Sequence, residues 1–141
     1  MHVLSDIEIS DKVNQTVLDE KKLKTLLPKM KKALIPAFII PNYGDHAYLK
    51  VRFDSQTMSN LEKLGIRKIQ EPATRMMIIA NLWYQMIDEK MQSQAMLDML
   101  LQTFPQEQDE SVIHLMLQQT TDLVSDYLPL ASQNQTKETV F

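Results

Sequence analysis

An α+β chain, strands first and helices afterwards, is the fold class this sequence predicts, and three observations carry it. Ala47, Leu49, Val51 and Phe53 alternate with His46, Tyr48, Lys50 and Arg52, which is the period-two signature of a strand with one dry and one wet face. Beyond Phe53 the apolar spacing changes to steps of three and four and keeps that rhythm to Tyr127. Within the helical part, Glu71–Lys90 is apolar around most of its circumference, and such a helix needs neighbours on at least two sides.

Taken in order, Ile7 and Ile9 alternate with polar neighbours, and Val13 to Leu18 fits a second short strand. Lys21 to Lys32 carries six lysines around Leu23, Leu26, Leu27 and Met30, and Pro28 prevents one continuous ideal helix there. That stretch reads either as a basic amphipathic surface for an anionic partner or as a solvated connection whose leucines pack downwards. No aromatic residues interleave to stack on bases. Leu34 to Ile40 is a short apolar run closed by Pro36 and Pro41, so a strand here lies at an edge or is short. Asn42-Tyr43-Gly44-Asp45 is a turn cluster, so the two runs on either side of it are expected to form a hairpin.

In the helical part, Asp54 or Ser55 caps a short helix that ends near Leu64, with Gly65 as its stop. Met58, Leu61 and Leu64 share one face of it. The central helix follows: Pro72 suits the first helical position, and Glu71 sits beside the positive end of the dipole. Its stripe is Met76, Ile79, Trp83 and Met86/Ile87, widened by Ala73, Met77, Ala80 and Leu82. Ser93 offers the next cap, and Ala95, Met96, Met99, Leu100 and Phe104 form a stripe that Pro105 ends. Asp109 caps the last helix, whose apolar face is Ile113, Met116, Leu117, Thr120, Leu123, Val124 and Tyr127, and Pro129 stops it. Short loops between such helices predict antiparallel neighbours. The expected organisation is therefore a β-strand segment at 1–53, a helical array at 54–129 and a polar, disordered tail at 130–141.

Composition narrows the chemistry. With 141 residues, 44% of them hydrophobic and 23% charged, the chain is of ordinary globular make-up with enough length for a core, as one domain or a small domain with an appended piece. A net charge of -3 exerts no global pull towards nucleic acid. The absence of cysteine removes disulfides, thiolate nucleophiles and cysteine-ligated zinc. Gly44 and Gly65 are the only glycines, too few for a phosphate-cradling loop. The ten methionines read as gap-filling core side chains or as a plastic partner surface. No secretory signal and no run of 18 apolar residues is present, so a cytoplasmic location is expected.

No constellation of catalytic residues emerges. The three histidines, His2, His46 and His114, are not paired at metal-ligand spacing. The acidic residues Asp88, Glu89, Glu107, Asp109 and Glu110 fall at helix ends, where anions cap or are solvated. Glu71 and Arg75 have the favourable i, i+4 order for a surface pair. Asn81, polar on a largely apolar helix, reads as facing a seam with water or bonding a neighbouring loop carbonyl, in preference to a substrate contact. Catalytic, cofactor-binding and metal-ligating residues are each expected to be none.

The order of features from Ile39 to Pro129 resembles one family. The likeness runs through Ile40-Pro41-Asn42-Tyr43-Gly44-Asp45, Tyr48-Leu49-Lys50-Val51-Arg52-Phe53-Asp54 and Ile69-Gln70-Glu71-Pro72-Ala73-Thr74-Arg75. It continues in Leu82-Trp83-Tyr84-Gln85-Met86-Ile87 and closes on Phe104-Pro105-Gln106-Glu107-Gln108-Asp109-Glu110. This pattern is similar to the M1 zinc aminopeptidases of the aminopeptidase N type, at the junction of their small β-sandwich domain with the C-terminal helical domain. The resemblance implies that residues before Asp54 end a β-sandwich and that the later helices open an antiparallel HEAT- or armadillo-like array. In that family the His-Glu-x-x-His-x18-Glu zinc helix, the Gly-x-Met-Glu-Asn segment and the catalytic tyrosine belong to an earlier domain, and none of them occurs here. No cofactor is therefore expected in this chain, zinc being the parent family's.

The expected function is a non-catalytic C-terminal segment of an M1-type metalloaminopeptidase, scaffolding or covering the peptide cavity of a catalytic part outside this chain. The alternative is a stand-alone helical protein-interaction module. A third reading is an enzyme with an unrecognised site or a lysine-rich surface binder. Four helices fall short of a complete C-terminal domain, and a repeat stack needs a polar face at its end. The side of Asp109–Tyr127 turned away from the central helix is thus expected to expose an apolar patch. The expected partners are the catalytic portion of an aminopeptidase or a second copy through that face, with no nucleic acid and no membrane.

Overall fold

A computed structural model describes residues 37–42, 45 and 48–129, together with the backbone of 2–6 and 13–17. The lysine-rich stretch 21–32, His46 and the expected tail 130–141 lie outside the described residues. The chain divides into two compact units, Met1–Leu64 and Gly65–Phe141.

In the first unit, β1 (His2–Asp6) and β2 (Val13–Val17) pair antiparallel, with His2 opposite Val17 and Asp6 opposite Val13. These two strands are all the β structure among the described residues, and a lone two-stranded ribbon is not a sandwich. The expected α+β class, with an N-terminal antiparallel β segment ending a β-sandwich, is corrected: among the described residues from 37 to 129 every regular element is helical.

Among the described residues the expected hairpin across residues 42–45 does not form, although the turn bonds between Asn42 and Asp45 do. Asp45 N–H donates to the Asn42 carbonyl at 2.9 Å, and the Asn42 amide donates to the Asp45 carboxylate at 3.0 Å. The reason for the missing hairpin is local. Ile39 N–H donates to Thr57 Oγ1 (3.0 Å), and the Ala37 carbonyl accepts from Asn60 Nδ2 (2.6 Å). Both Thr57 and Asn60 belong to α1 (Ser55–Leu64). Backbone groups that a ladder would have used are thus taken by helix side chains. The alternation at 48–53 is still real: Val51 and Phe53 are buried, while Tyr48, Lys50 and Arg52 are exposed.

Helix α1 begins as expected at Asp54, whose carboxylate accepts from Gln56 N–H (2.9 Å), Thr57 N–H (3.0 Å) and the Thr57 hydroxyl (2.6 Å). Burial pushes the Asp54 pKa up, but these three donors outweigh it and hold the group below the usual carboxylate range.

The second unit opens with Gly65 at φ +81°, a conformation costly for any residue with a Cβ, then a 3₁₀ turn at Ile66–Lys68. Three helices follow: α2 (Pro72–Ile87), α3 (Ser93–Thr103) and α4 (Glu110–Asp122). Helix α4 runs on into a π turn at Leu123–Tyr127. The caps at Glu71 and Asp109 and the N1 position of Pro72 fall where the sequence puts them. Helix α3 differs, because Gln92 rather than Ser93 precedes it and contributes no side-chain cap.

Helix α2 packs against both α3 and α4, as its apolar circumference requires. Of the expected stripe, Met77, Ile79, Leu82 and Met86 are buried, and the face is centred on Leu82 together with Ile78, which the stripe left out. Ile79 is fully buried, whereas Met76 and Trp83 are half-buried and Ile87 is exposed. Met96, Leu97 and Leu100 of α3, with Val112, Met116 and Leu123 of the last helix and its π turn, are fully buried in the same unit. Glu89 ends α2 at φ +58°: its N–H reaches the Met86 carbonyl (3.0 Å), and Lys90 N–H reaches that of Gln85 (2.8 Å). This is the Schellman arrangement, made with glutamate where glycine is usual.

Candidate functional site

Arg75 and Glu107 each take part in four hydrogen bonds in the second unit. Arg75 lies on the first turns of α2 with only a tenth of its side chain exposed. Its Nε donates to Glu107 Oε2 at 2.8 Å and its Nη2 to Glu107 Oε1 at 2.7 Å, a two-pronged pair. Its Nη1 donates to the carbonyls of Ile69 (2.9 Å) and Gln70 (2.6 Å). Glu107 Oε1 also accepts N–H groups from Gln108 (2.9 Å) and Asp109 (3.0 Å). One guanidinium thereby ties the approach to α2, α2 itself and the α3–α4 connection together.

This arrangement corrects two expectations. Glu71 feels the Arg75 charge, which helps to lower its pKa, but the close ion pair of Arg75 is with Glu107. The Glu71 carboxylate caps α2 instead, accepting from Ala73 N–H (3.1 Å), Thr74 N–H (2.5 Å) and the Thr74 hydroxyl (2.7 Å). Glu107 is not a solvated helix-end anion, for its side chain is only 2% exposed. Burial raises the pKa of each carboxyl, but the bonds from Thr74 and Ala73 on Glu71, and from Arg75, Asp109 and Gln108 on Glu107, overcome it and leave both below the usual range.

Further polar groups lie inside. Asn81 is buried and donates to the Met77 carbonyl of its own helix (2.8 Å). Gln85 and Thr103 are buried as well, and the Thr103 hydroxyl bonds the Met99 carbonyl at 2.8 Å. On α4, Gln119 Oε1 and Thr120 Oγ1 are buried without a protein partner. An unpaired buried hydroxyl is unfavourable, and valine matches threonine in shape and χ1 stiffness. Thr120→Val is therefore expected to leave stability unchanged or raise it by up to about 1 kcal/mol in a chemical melt. A clear loss would mean that the hydroxyl is bonded through water.

The described surface carries several large exposed apolar side chains. Tyr84 (48% exposed), Ile87 (46%), Leu117 (45%) and Tyr127 (42%) stand out among the large side chains of α2, α4 and the π turn. Trp83 is half-buried and meets Tyr127 edge-on, with ring centroids 5.4 Å apart and planes at 79°. Beside it, at the α2–α3 turn, Met86, Met91 and Tyr127 line an open cleft with Glu89, Lys90, Gln92 and Ser93. A second cleft is lined by Met76 of α2 and by Glu110, Ser111, His114, Leu115 and Gln118 of α4. Tyr127, in contact with Trp83, lies on the side of the last helix that meets α2, not on the side turned away from it. Among the described residues no three His, Asp or Glu side chains converge to hold a metal ion. No helix among them is long and apolar enough to cross a membrane.

Two of the stretches that carry the family likeness, Ile69–Arg75 and Phe104–Glu110, are the ones Arg75 and Glu107 join. Comparison with known proteins agrees with that likeness. The family model described as ERAP1-like C-terminal domain, the C-terminal helical domain of M1 aminopeptidases, matches residues 38–140. No curated protein and no solved structure matches the chain.

Proposed function

Because the chain belongs to the ERAP1-like C-terminal domain family, we propose that it serves as the non-catalytic helical part of an M1 aminopeptidase. In this reading it braces or covers the peptide cavity of a catalytic part that carries the zinc and lies outside this chain. The observation that carries the reading is the family match over 38–140, which includes both stretches held by the Arg75–Glu107 pair. The helices beyond Gly65 would open a HEAT-like stack, and the Tyr84–Ile87–Tyr127 face is the surface on which the catalytic part or a further layer of helices would sit.

The role asked of it is mechanical. Cleavage of a peptide bond at a metal centre needs an ion that activates water and polarises the carbonyl. A helical cover can instead exclude water and limit which peptides reach that centre. The test is to mix the full chain with a separately produced M1 catalytic part encoded in the same genome. Size-exclusion chromatography follows complex formation, and hydrolysis of an aminoacyl arylamide is compared with that of peptides of increasing length. Co-elution together with a changed preference for peptide length is expected. Separate elution with identical rates on every substrate would refute the proposal, as would a homodimer of the chain alone that never binds the catalytic part.

A further inference from the structure

We draw no further inference here: the strongest candidate, the cleft at the α2–α3 turn lined by Met86, Met91 and Tyr127 and bordered by the N-terminus of α3, belongs to the exposed face already described, and nothing in the structure shows what covers it.

Discussion

Replacing Glu107 with alanine should cost about 3–5 kcal/mol of folding stability, because it leaves the buried Arg75 guanidinium without its counter-charge. The same substitution removes the acceptor for Gln108 and Asp109 N–H, at the turn where α4 begins. Urea denaturation of the two proteins measures the difference, and a loss under about 1 kcal/mol would show that the pair behaves like an exposed surface bridge. The double variant Arg75→Met/Glu107→Leu should be less damaged than the sum of the single changes, because neither charge is then stranded. It will not recover fully, since the Ile69 and Gln70 carbonyls lose their donor.

The pair also fixes a pH dependence. The folded Glu107 carboxyl titrates below its ordinary range, so its contribution is complete above the unfolded value of roughly 4.3 and is lost as pH falls through the lower folded value. Glu71 and Asp54 are shifted in the same direction and add to that acid limb. The stability gap between the parent and Glu107→Gln should accordingly narrow below about pH 4 and stay constant from there to neutrality. A gap that widens on acidification would contradict the buried pairing.

Leu82→Ala should be the most damaging truncation in α2, at about 2–5 kcal/mol. Leu82 is fully buried, and its helix packs on both α3 and α4, so little can collapse into the space left behind. Tyr84→Ala, two positions along on the exposed side, should change stability by no more than about 0.5 kcal/mol. Thermal melts of the two variants compare the buried side of α2 at Leu82 with its exposed side at Tyr84. Equal effects would show that Leu82 is not packed in the core.

These two cases also show what could be read in advance. Signals that act within one turn were legible: Asp54, Glu71 and Asp109 at helix starts, Pro72 inside one, and Gly65 between elements. Signals that need a distant partner were not. Arg75 sits 32 residues from Glu107, and its nearest acidic neighbour at helical spacing, Glu71, is occupied with capping. Counting apolar residues around α2 could not locate its inner face, because Thr74, Arg75, Asn81 and Gln85 are buried there too. The alternation at 48–53 correctly reported which side chains face inward. Period two describes facing, however, and a ladder also needs a neighbouring backbone, which the bonds from α1 to residues 37 and 39 preclude. The exposed face carries no motif and becomes visible only once the helices are assembled. The end of α2 at Glu89 was likewise hidden, since no glycine marks it.

The edge-on contact of Trp83 with Tyr127 gives the molecule an optical consequence. Trp83 is the sole indole in the chain, and its neighbour Tyr127 is the last residue of the π turn that ends the final helix. An ordinary α-helical continuation would rotate the phenol around the axis by about 100° for each residue of register. Emission from that single fluorophore therefore reads out whether the C-terminal turn is seated, with no label attached.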